Sequence, residues 1–283
     1  MAPMTAVTIR RFNALEEYFA CEALQQEVWG FEDLSVVPAH LLVTFDKRGG
    51  LVLGAFDRDV LVGFVYGFVG QQYGMATHNS VMSAVRPQYR NQGIAHRLKL
   101  AQRKAALAQG FSLMTWTFDP LQALNAHFNL TKLGVVIREH YRNVYGPFRD
   151  AINRDMPTDR FGVEWWMDRP RALARLEREP PQAAPPIPAN RPQLGPAGLL
   201  VPGEGAPGGE GEALHLGIPL SIDELRKRDP ELALHWRHHL RDWLEPALDD
   251  GYVICGFCVD RQRRLGVYTL RRADVQDLLM EAT

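Results

Sequence analysis

The sequence predicts a mixed α/β fold, of the α+β kind, in a first domain with a smaller α/β unit behind it. Strand-like runs rich in Val, Ile, Phe and Tyr alternate with amphipathic helical segments over residues 6–168. Proline and glycine dominate residues 178–212, where no packed element is expected. We therefore assign residues 1–177 to the first domain and 178–212 to a connecting strap. Residues 213–283 form a C-terminal unit, which we expect to dock on the first domain because it is too small to bury a good core alone.

The first domain follows a regular order of strand and helix signals. Its helices are expected from an Asn13 cap to about residue 28, between Gly93 and Gly110, and after Pro120 as far as Gly134. A hairpin is expected at residues 57–59. The strands are predicted at residues 7–10, 51–56, 61–69, 80–85, 111–118, 135–145 and 161–167.

The C-terminal unit predicts a strand, helices and a hairpin. Ser221 and Glu224 fit a capping box, and the pair Asp229-Pro230 is expected to start a second helix. Strands are predicted at residues 213–218, 252–259 and 265–270. The second helix has one apolar side, formed by Leu234, Trp236, Leu240, Trp243 and Leu244.

Composition limits the classes of partner. The chain has 32 Lys+Arg against 33 Asp+Glu, a net charge of -1, which argues against nucleic acid or an anionic membrane as a bulk partner. No apolar run approaches the roughly 20 residues that span a bilayer. Three cysteines give no disulfide framework, and the first residues lack a secretory apolar segment. We expect a cytoplasmic enzyme.

The segment Val85-Arg-Pro-Gln-Tyr-Arg-Asn-Gln-Gly-Ile-Ala95 predicts an anion-binding cradle. It joins a strand to the N-terminus of an amphipathic helix, where backbone N–H groups face an incoming phosphate. Gly93 lets the backbone approach the ligand, and Arg90 can add a charge-assisted bond. A tight turn without a ligand is the alternative. The helix has an apolar stripe of Ile94, Leu98, Ala101, Ala105 and Ala108, with Arg97, Lys99, Arg103 and Lys104 off it.

Other phosphate motifs are absent from the sequence, since it contains neither G-x-x-x-x-G-K-[ST] nor G-x-G-x-x-G. The cradle instead resembles the acyl-CoA-binding motif of the GNAT N-acetyltransferase superfamily, [QR]-x-x-G-x-[GA]. The segments around Glu27 to Gly30, 115–134 and 157–166 resemble a little-characterised group of predicted GNAT proteins. The resemblance implies a GNAT fold, whose mixed central sheet is splayed between the fourth and fifth strands to hold CoA, with acetyl-CoA or another acyl-CoA as cosubstrate.

The resemblance also implies roles for individual residues. The strand at Ala84 and Val85 would pair its backbone with the pantetheine arm. Asn125 and Phe128 would flank the cofactor near the gap, and the region from Trp29 to Pro38 would form the acceptor pocket. The pyrophosphate would be held by Arg90, Asn91, Gln92, Gly93, Ile94 and Ala95.

The catalytic groups are less clearly indicated. Many GNAT members have an acidic tyrosine four residues before the glycine of a Leu-Gly pair, and this chain has Leu130 there. The family's aromatic and asparagine positions nearby hold Asn129 and Ala123. The remaining candidates are His127, His78 with Ser80, Asp119, and Tyr141 with Tyr145. Each also has a non-catalytic interpretation: a surface histidine for His127, a loop histidine for His78, a helix cap for Asp119 and core packing for the two tyrosines.

Two further patterns have structural interpretations. Cys255 and Cys258, with His235 and His239, have the residue types of a zinc site, but a strand would point the two cysteines to opposite faces. We therefore predict no metal. The adjacent pair at residues 165–166 should likewise point to opposite faces, with one Trp in the core and the other lining a pocket or meeting the C-terminal unit.

These observations predict an acyl-CoA-dependent N-acyltransferase of the GNAT type. An amine, expected to be a small molecule, would attack the thioester directly. The alternative is an acyl-CoA-binding or sensing protein that kept the cradle and lost the acid. A homodimer is a further possibility, in which the Trp-bearing helix of the C-terminal unit would bury its apolar side against a second copy.

Overall fold

The computed structural model describes residues 7–31, 33–146, 156–178, 184–195, 197–205 and 211–282. The described chain divides into two compact units, one ending at Trp116 and the other beginning at Thr117. The domain boundaries predicted at residues 177 and 213 rest on the change in sequence composition there, and they stay a prediction.

The first unit is built on a mixed sheet with helices on both faces. Its strands are β1 (Thr8–Arg11), β2 (Leu51–Asp57), β3 (Val60–Gln72), β4 (Met75–Val85) and the start of β5 (Leu113–Phe118). They lie in sequence order and are antiparallel, except that β5 runs parallel to β4. The helices are α1 (Leu15–Trp29), α2 (Ala39–Lys47) and α3 (Ile94–Ala108).

The two faces of this sheet are covered by different helices. Cys21, Leu24 and Leu42 of α1 and α2 pack with Phe64 in one apolar cluster. Residues of α3 pack on the other face in a second cluster with Val62, Val65 and Val85. Strands that are buried on both faces have nearly continuous apolar runs, which explains the uninterrupted pattern of β2 and β3.

The pairing between β4 and β5 is short. Only His78↔Met114 and Asn79↔Thr115 are matched in the described register. A register shift at residue 81 also marks a bulge in β4 on its β3 side. We call the region beyond these pairs, residues 80–85 of β4 and Trp116 of β5, the split. The implied splaying of fourth and fifth strands is confirmed.

The second unit carries an antiparallel sheet in the order β7-β6-β11-β12-β10. Its helical segments are α4 (Ala123–Ala126), a π-helix (His127–Leu133), α5 (Pro170–Glu177), α6 (Ile222–Arg228), α7 (Pro230–Asp249) and α8 (Val275–Met280). Its strands are β6 (Val136–Tyr141), β7 (Arg160–Trp166), β8 (Gln193–Leu194), β9 (Leu200–Val201), β10 (Ala213–Pro219), β11 (Tyr252–Asp260) and β12 (Leu265–Arg272).

The described part of the strap lies against β10. Asn190 is fully buried, and its side-chain amide both donates to and accepts from the backbone of Gly217 at 2.8 Å. Pro188 and Pro192 fill the space in which Gly217 has no side chain. The strap residues on either side of residues 179–183, 196 and 206–210 are therefore ordered by specific contacts, while those three stretches lie outside the described residues.

The helix caps of the C-terminal unit match the sequence. The Ser221 hydroxyl accepts from the backbone N–H of Glu224, and the Asp229 carboxylate accepts from that of Leu232. The predicted hairpin forms between β11 and β12.

Several predicted details are wrong. Asn13 does not cap α1, since its backbone N–H donates to the Glu17 carboxylate and Ala14 occupies the cap position without a side-chain bond. On α3, Ala108 is exposed, whereas Lys99 and Gln102 are buried. The helices α2, α5 and α8 were not predicted.

Candidate functional site

The turn between β4 and α3 forms an open cradle. A short 3₁₀ turn at Pro87–Tyr89 leads into two positive φ values, 62° at Asn91 and 73° at Gly93. Gly93 is the N-cap of α3 and has no side-chain cap bond, and the first helical bond runs from the N–H of Arg97 to its carbonyl. The N–H groups of the first helical turn are thus left for an external acceptor. A Cβ built on Gly93 meets nothing within 4 Å.

Three side-chain hydrogen bonds hold the cradle in place, and none of them uses the backbone N–H groups at the start of α3. The Arg90 guanidinium donates to the carbonyl of Val85 at 3.2 Å, and the Tyr89 hydroxyl donates to Asp57 at 2.8 Å. Arg97 donates to the carbonyl of Val7 at 2.6 Å, which ties α3 to the start of β1. These bonds fix the backbone of the turn before any ligand arrives, and they lower the entropic cost of binding.

The remaining cradle residues divide by exposure. Ile94 is buried in the α3 cluster and anchors the helix start. Ala84 and Val85 are buried on opposite faces of β4, so only their backbone can meet a ligand in the plane of the sheet. The exposed side chains around the N–H groups are Arg90, Asn91, Gln92 and Ala95.

Five side chains form a polar cluster behind the split, which we call the Lys99 cluster. It consists of His78 and Ser80 on β4, Lys99 and Gln102 on α3, and Trp116 on β5. The Lys99 ammonium donates to the Ser80 hydroxyl at 2.8 Å and to the Gln102 carbonyl oxygen at 3.3 Å. It also lies 3.9 Å from the centre of the Trp116 ring. Ser80 donates to the same Gln102 oxygen at 3.0 Å.

His78 does not lie in a loop, as the sequence suggested. It is fully buried in β4, where Gly67 on β3 leaves the space that its ring occupies. The Gln102 amide nitrogen lies 3.1 Å from its Nε2. Because an amide nitrogen can only donate, Nε2 accepts and the ring proton lies on Nδ1, which is buried without a partner among the described residues.

Burial dominates the titration of this cluster. It lowers the pKa of Lys99 from 10.5 to about 7. Burial and, secondarily, the charge of Lys99 lower the pKa of His78 from 6.5 to about 4. His78 is therefore neutral at physiological pH, whereas Lys99 changes charge there. Sequence reasoning missed Lys99 because a lysine on an amphipathic helix is ordinarily placed on the solvent side.

The other candidates belong to the second unit. His127 begins the π-helix and is half-buried, and burial followed by the charge of Lys132 lowers its pKa. Asn125 is exposed on α4, and Phe128 is half-buried on the π-helix. Leu130 is packed in the core with 1% exposure.

Tyr141 and Asp119 are held by charged partners in the same unit. The Tyr141 hydroxyl donates to the Glu139 carboxylate. Asp119 accepts from the backbone N–H of Leu121 at 2.8 Å and from the Arg237 guanidinium through two bonds of 2.6 Å. It is a turn and ion-pair residue, and the N-cap position of α4 belongs to Gln122.

Residues 12–134 match the model of the Acetyltransferase (GNAT) family. The chain carries a GNAT acetyltransferase domain. The match covers the cradle, the split and the predicted Leu-Gly pair, and it confirms the expected superfamily, the GNAT fold and the GNAT type of acetyltransferase.

Solved structures of this family are similar to the GNAT domain. A GNAT acetyltransferase from Streptococcus pneumoniae is 17% identical, with a TM-score of 0.45, over 56% of this chain and 97% of that chain. The ribosomal-protein-S18-alanine N-acetyltransferase from Escherichia coli is 16% identical, with a TM-score of 0.44, over 56% and 92%. Ard1 from Thermoplasma volcanium is 17% identical, with a TM-score of 0.42, over 56% and 96%. No curated protein matches the sequence.

The described residues also bear on metal sites and membrane spans. No three His, Cys, Asp or Glu side chains there converge as metal ligands would. Cys255 falls at the register shift of β11 and is buried, whereas Cys258 is half-exposed. None of the helices in the described part has the length and apolar character of a bilayer crossing.

Proposed function

We propose that this protein transfers an acyl group, most simply acetyl, from acyl-CoA to the amine of a small molecule by direct attack. One observation carries the proposal: β4 loses its β5 partner after Asn79 and leads, within the same strand, to the open N-terminus of α3. A cofactor with an extended amide-bearing arm and a pyrophosphate matches that sequence of features. The arm requires a free strand edge, and the pyrophosphate requires unpaired N–H groups.

The cofactor would be held by backbone on the cradle side. The arm would pair with the β4 backbone at Ala84 and Val85, and the pyrophosphate would accept from the N–H groups of residues 90–95. The exposed Arg90 side chain adds a charge-assisted bond. Asn125 and Phe128 stay predicted contacts near the sulfur end.

The chemistry needs an unprotonated amine and a polarised thioester. Backbone N–H groups of β4 in the split would polarise the carbonyl, which lowers the barrier to attack because they are fixed in advance. His127 and Tyr141 remain predicted groups for proton transfer. The aromatic pair Trp29 and Phe31, stacked at 5.2 Å, would line the acceptor pocket.

The alternative function is an acyl-CoA sensor. Leu130 favours it, since a buried leucine stands where many relatives of the GNAT group have the acidic tyrosine. A sensor would bind acyl-CoA tightly and release no CoA.

Calorimetry with CoA and a thiol-detection assay with acetyl-CoA over a panel of amines distinguish the two functions. Steady, amine-dependent release of CoA supports the transferase. Tight binding without turnover across the panel supports the sensor, and absence of CoA binding contradicts both. Light scattering of the full chain tests the predicted homodimer in the same samples.

A further inference from the structure

The Lys99 cluster places a single buried cation at the point where two strands separate. The last matched pair of β4 and β5 is Asn79↔Thr115. Ser80 and Trp116 are the next residue on each strand, and they hold the Lys99 ammonium between them at 2.8 Å and 3.9 Å. Lys99 is 6% exposed. Its ammonium therefore reaches the start of the split from α3, inside the protein, and not from the solvent side.

The partners of Lys99 neither neutralise its charge nor leave its protons unpaired. The three ammonium protons meet a hydroxyl oxygen, an amide oxygen and an aromatic ring. The titratable group that faces it from β4 is His78, and the groups from α3 and β5 are Gln102 and Trp116. A buried carboxylate would hold the proton firmly on the amine, whereas these neutral partners let it leave.

The mechanism proposed above names His127 and Tyr141 for proton transfer but assigns neither of them to the departing sulfur. When the C–S bond breaks and the amine nitrogen forms its bond to the carbonyl carbon, sulfur keeps the electron pair as a thiolate. The nitrogen sheds its extra proton to water. Leu130 cannot supply a proton to the sulfur, because its side chain has none to give.

We propose that Lys99 supplies this proton, through the hydroxyl of Ser80, to the sulfur end of CoA in the split. The inference rests on the proposed acyl transfer. Ser80 gives its hydroxyl proton to the thiolate and takes one from Lys99, and the neutral amine of Lys99 is then reprotonated by water. Atoms and charge balance, since one proton goes from the nucleophile to water and one returns from water to Lys99.

Burial favours this transfer. The pKa of Lys99 near 7 lies below that of an ordinary thiol, about 8.5, so the proton moves downhill to a thiolate. A buried lysine also loses a desolvated charge when it gives the proton up. The Ser80 hydroxyl donates to Gln102 in this structure, and rotation about its Cβ–Oγ bond would turn that proton toward the split while the oxygen still accepts from Lys99.

An equilibrium experiment tests the inference without turnover. CoA and desulfo-CoA, which lacks the sulfur, are titrated at pH 6, where Lys99 keeps its proton, into wild type, Lys99→Met and the exposed control Lys104→Met. Wild type and the control should prefer CoA by about tenfold, since the sulfur accepts a bond from the Ser80 hydroxyl that the charge of Lys99 strengthens, and desulfo-CoA lacks that acceptor. Lys99→Met should lose most of this preference and keep its affinity for desulfo-CoA.

The pH–rate profile gives the second readout. With an acceptor amine that is already unprotonated at pH 6, wild-type turnover should fall as the pH rises through about 7, because the acid form of Lys99 is lost. Ser80→Ala should lose the preference for CoA, keep its affinity for desulfo-CoA and lower turnover at least tenfold, a general-acid contribution at the low end of its usual range.

The outcomes separate the two proposals. If wild type binds no CoA, the proposed function fails and the inference falls with it. If wild type turns over but Lys99→Met keeps both the preference for sulfur and the alkaline limb, only the inference is overturned. If circular dichroism shows that Lys99→Met is unfolded, Ser80→Ala decides: unchanged turnover overturns the proton route, and a loss of turnover with intact binding of desulfo-CoA supports it.

Discussion

Single residues decide which polar groups this protein buries. His78, Lys99 and Gln102 are each less than a tenth exposed, and each satisfies part of another's hydrogen bonding. Such groups are costly to bury alone, so their pairing makes the cluster a specific feature of the first unit's packing. Leu130 is the opposite case, in which an apolar side chain fills a position where relatives of the GNAT group have a polar one.

His78 should make the protein sensitive to acid. Its pKa falls from 6.5 in the unfolded chain to about 4 in the native one, so the unfolded chain binds a proton first as the pH drops. Stability should therefore be lost between pH 6.5 and 4, by about 3 kcal/mol in total. Chemical denaturation across this range should show a flatter dependence for His78→Gln than for wild type.

The exposed residue His40 on α2 provides the control for this experiment. His40→Gln should follow the wild-type curve. An unchanged slope in His78→Gln would contradict the assigned protonation state of His78.

At the scale of elements, β4 and α3 together build the site. The strand supplies an edge that β5 leaves after two matched pairs, and the helix supplies N–H groups at one end and the Lys99 cluster in its middle. Both functions come from the same strand–turn–helix unit, so a change in the turn should affect binding without disturbing the cluster.

Two glycines at the ends of α3 allow this to be measured. Gly93 has φ 73° and Gly110 has φ 88°, and a Cβ on either meets nothing within 4 Å. Gly→Ala at each position should cost about 1 kcal/mol of unfolding free energy from left-handed strain. Only Gly93→Ala should also weaken CoA binding, by about tenfold, because its methyl group lies at the N–H cradle.

Thermal unfolding and CoA calorimetry of both variants provide the measurements. Equal losses of CoA affinity in the two would mean that strain, rather than the cradle, governs binding. A Gly93→Ala variant with wild-type affinity would contradict the assignment of the pyrophosphate site.

At the scale of the whole molecule, ion pairs join distant parts of the chain in the second unit. Asp119 pairs with Arg237 of α7, and Asp159 accepts from Arg241 at 2.5 Å and 2.6 Å. His140 lies between Asp159 and a third carboxylate, Glu245. Burial acts to raise the pKa of Asp159, but the hydrogen bonds from Arg241 and its other partners outweigh burial and hold that pKa well below its usual range. These pairs fix where α7 lies on this unit's sheet.

Removing one member of the Asp119–Arg237 ion pair should cost more stability than removing both. The Arg237 side chain is 3% exposed, so Asp119→Ala leaves a buried cation without its carboxylate and should cost about 3–5 kcal/mol. Asp119→Ala with Arg237→Met removes the charge as well and should cost less than the single change. Urea denaturation at pH 7 measures both, and equal or greater loss in the double variant would contradict the pairing energetics.

Local sequence was sufficient for most of the strands, for several helices and for the cradle. The hairpins at residues 57–59 and 261–264, the caps at Ser221 and Asp229, and the glycine that opens α3 all depend on residues within a few positions of each other. Short-range backbone preferences act in the same way wherever the segment lies. The motif at residues 85–95, and the family that it resembles, could therefore be recognised from the sequence.

Long-range packing decided what the sequence alone left open. A lysine is expected to face solvent, a loop histidine to be free, and an aspartate before proline to cap a helix. The tertiary structure buries Lys99 against Ser80 and Trp116. It packs His78 over Gly67 and pairs Asp119 with Arg237, which is 118 residues away. The physical reason is that burial and partner charges, which set protonation and cost, come from residues remote in sequence. The sequence by itself predicted an anion-binding cradle and its family resemblance, and only the fold brought Lys99 and Ser80 together at the start of the split.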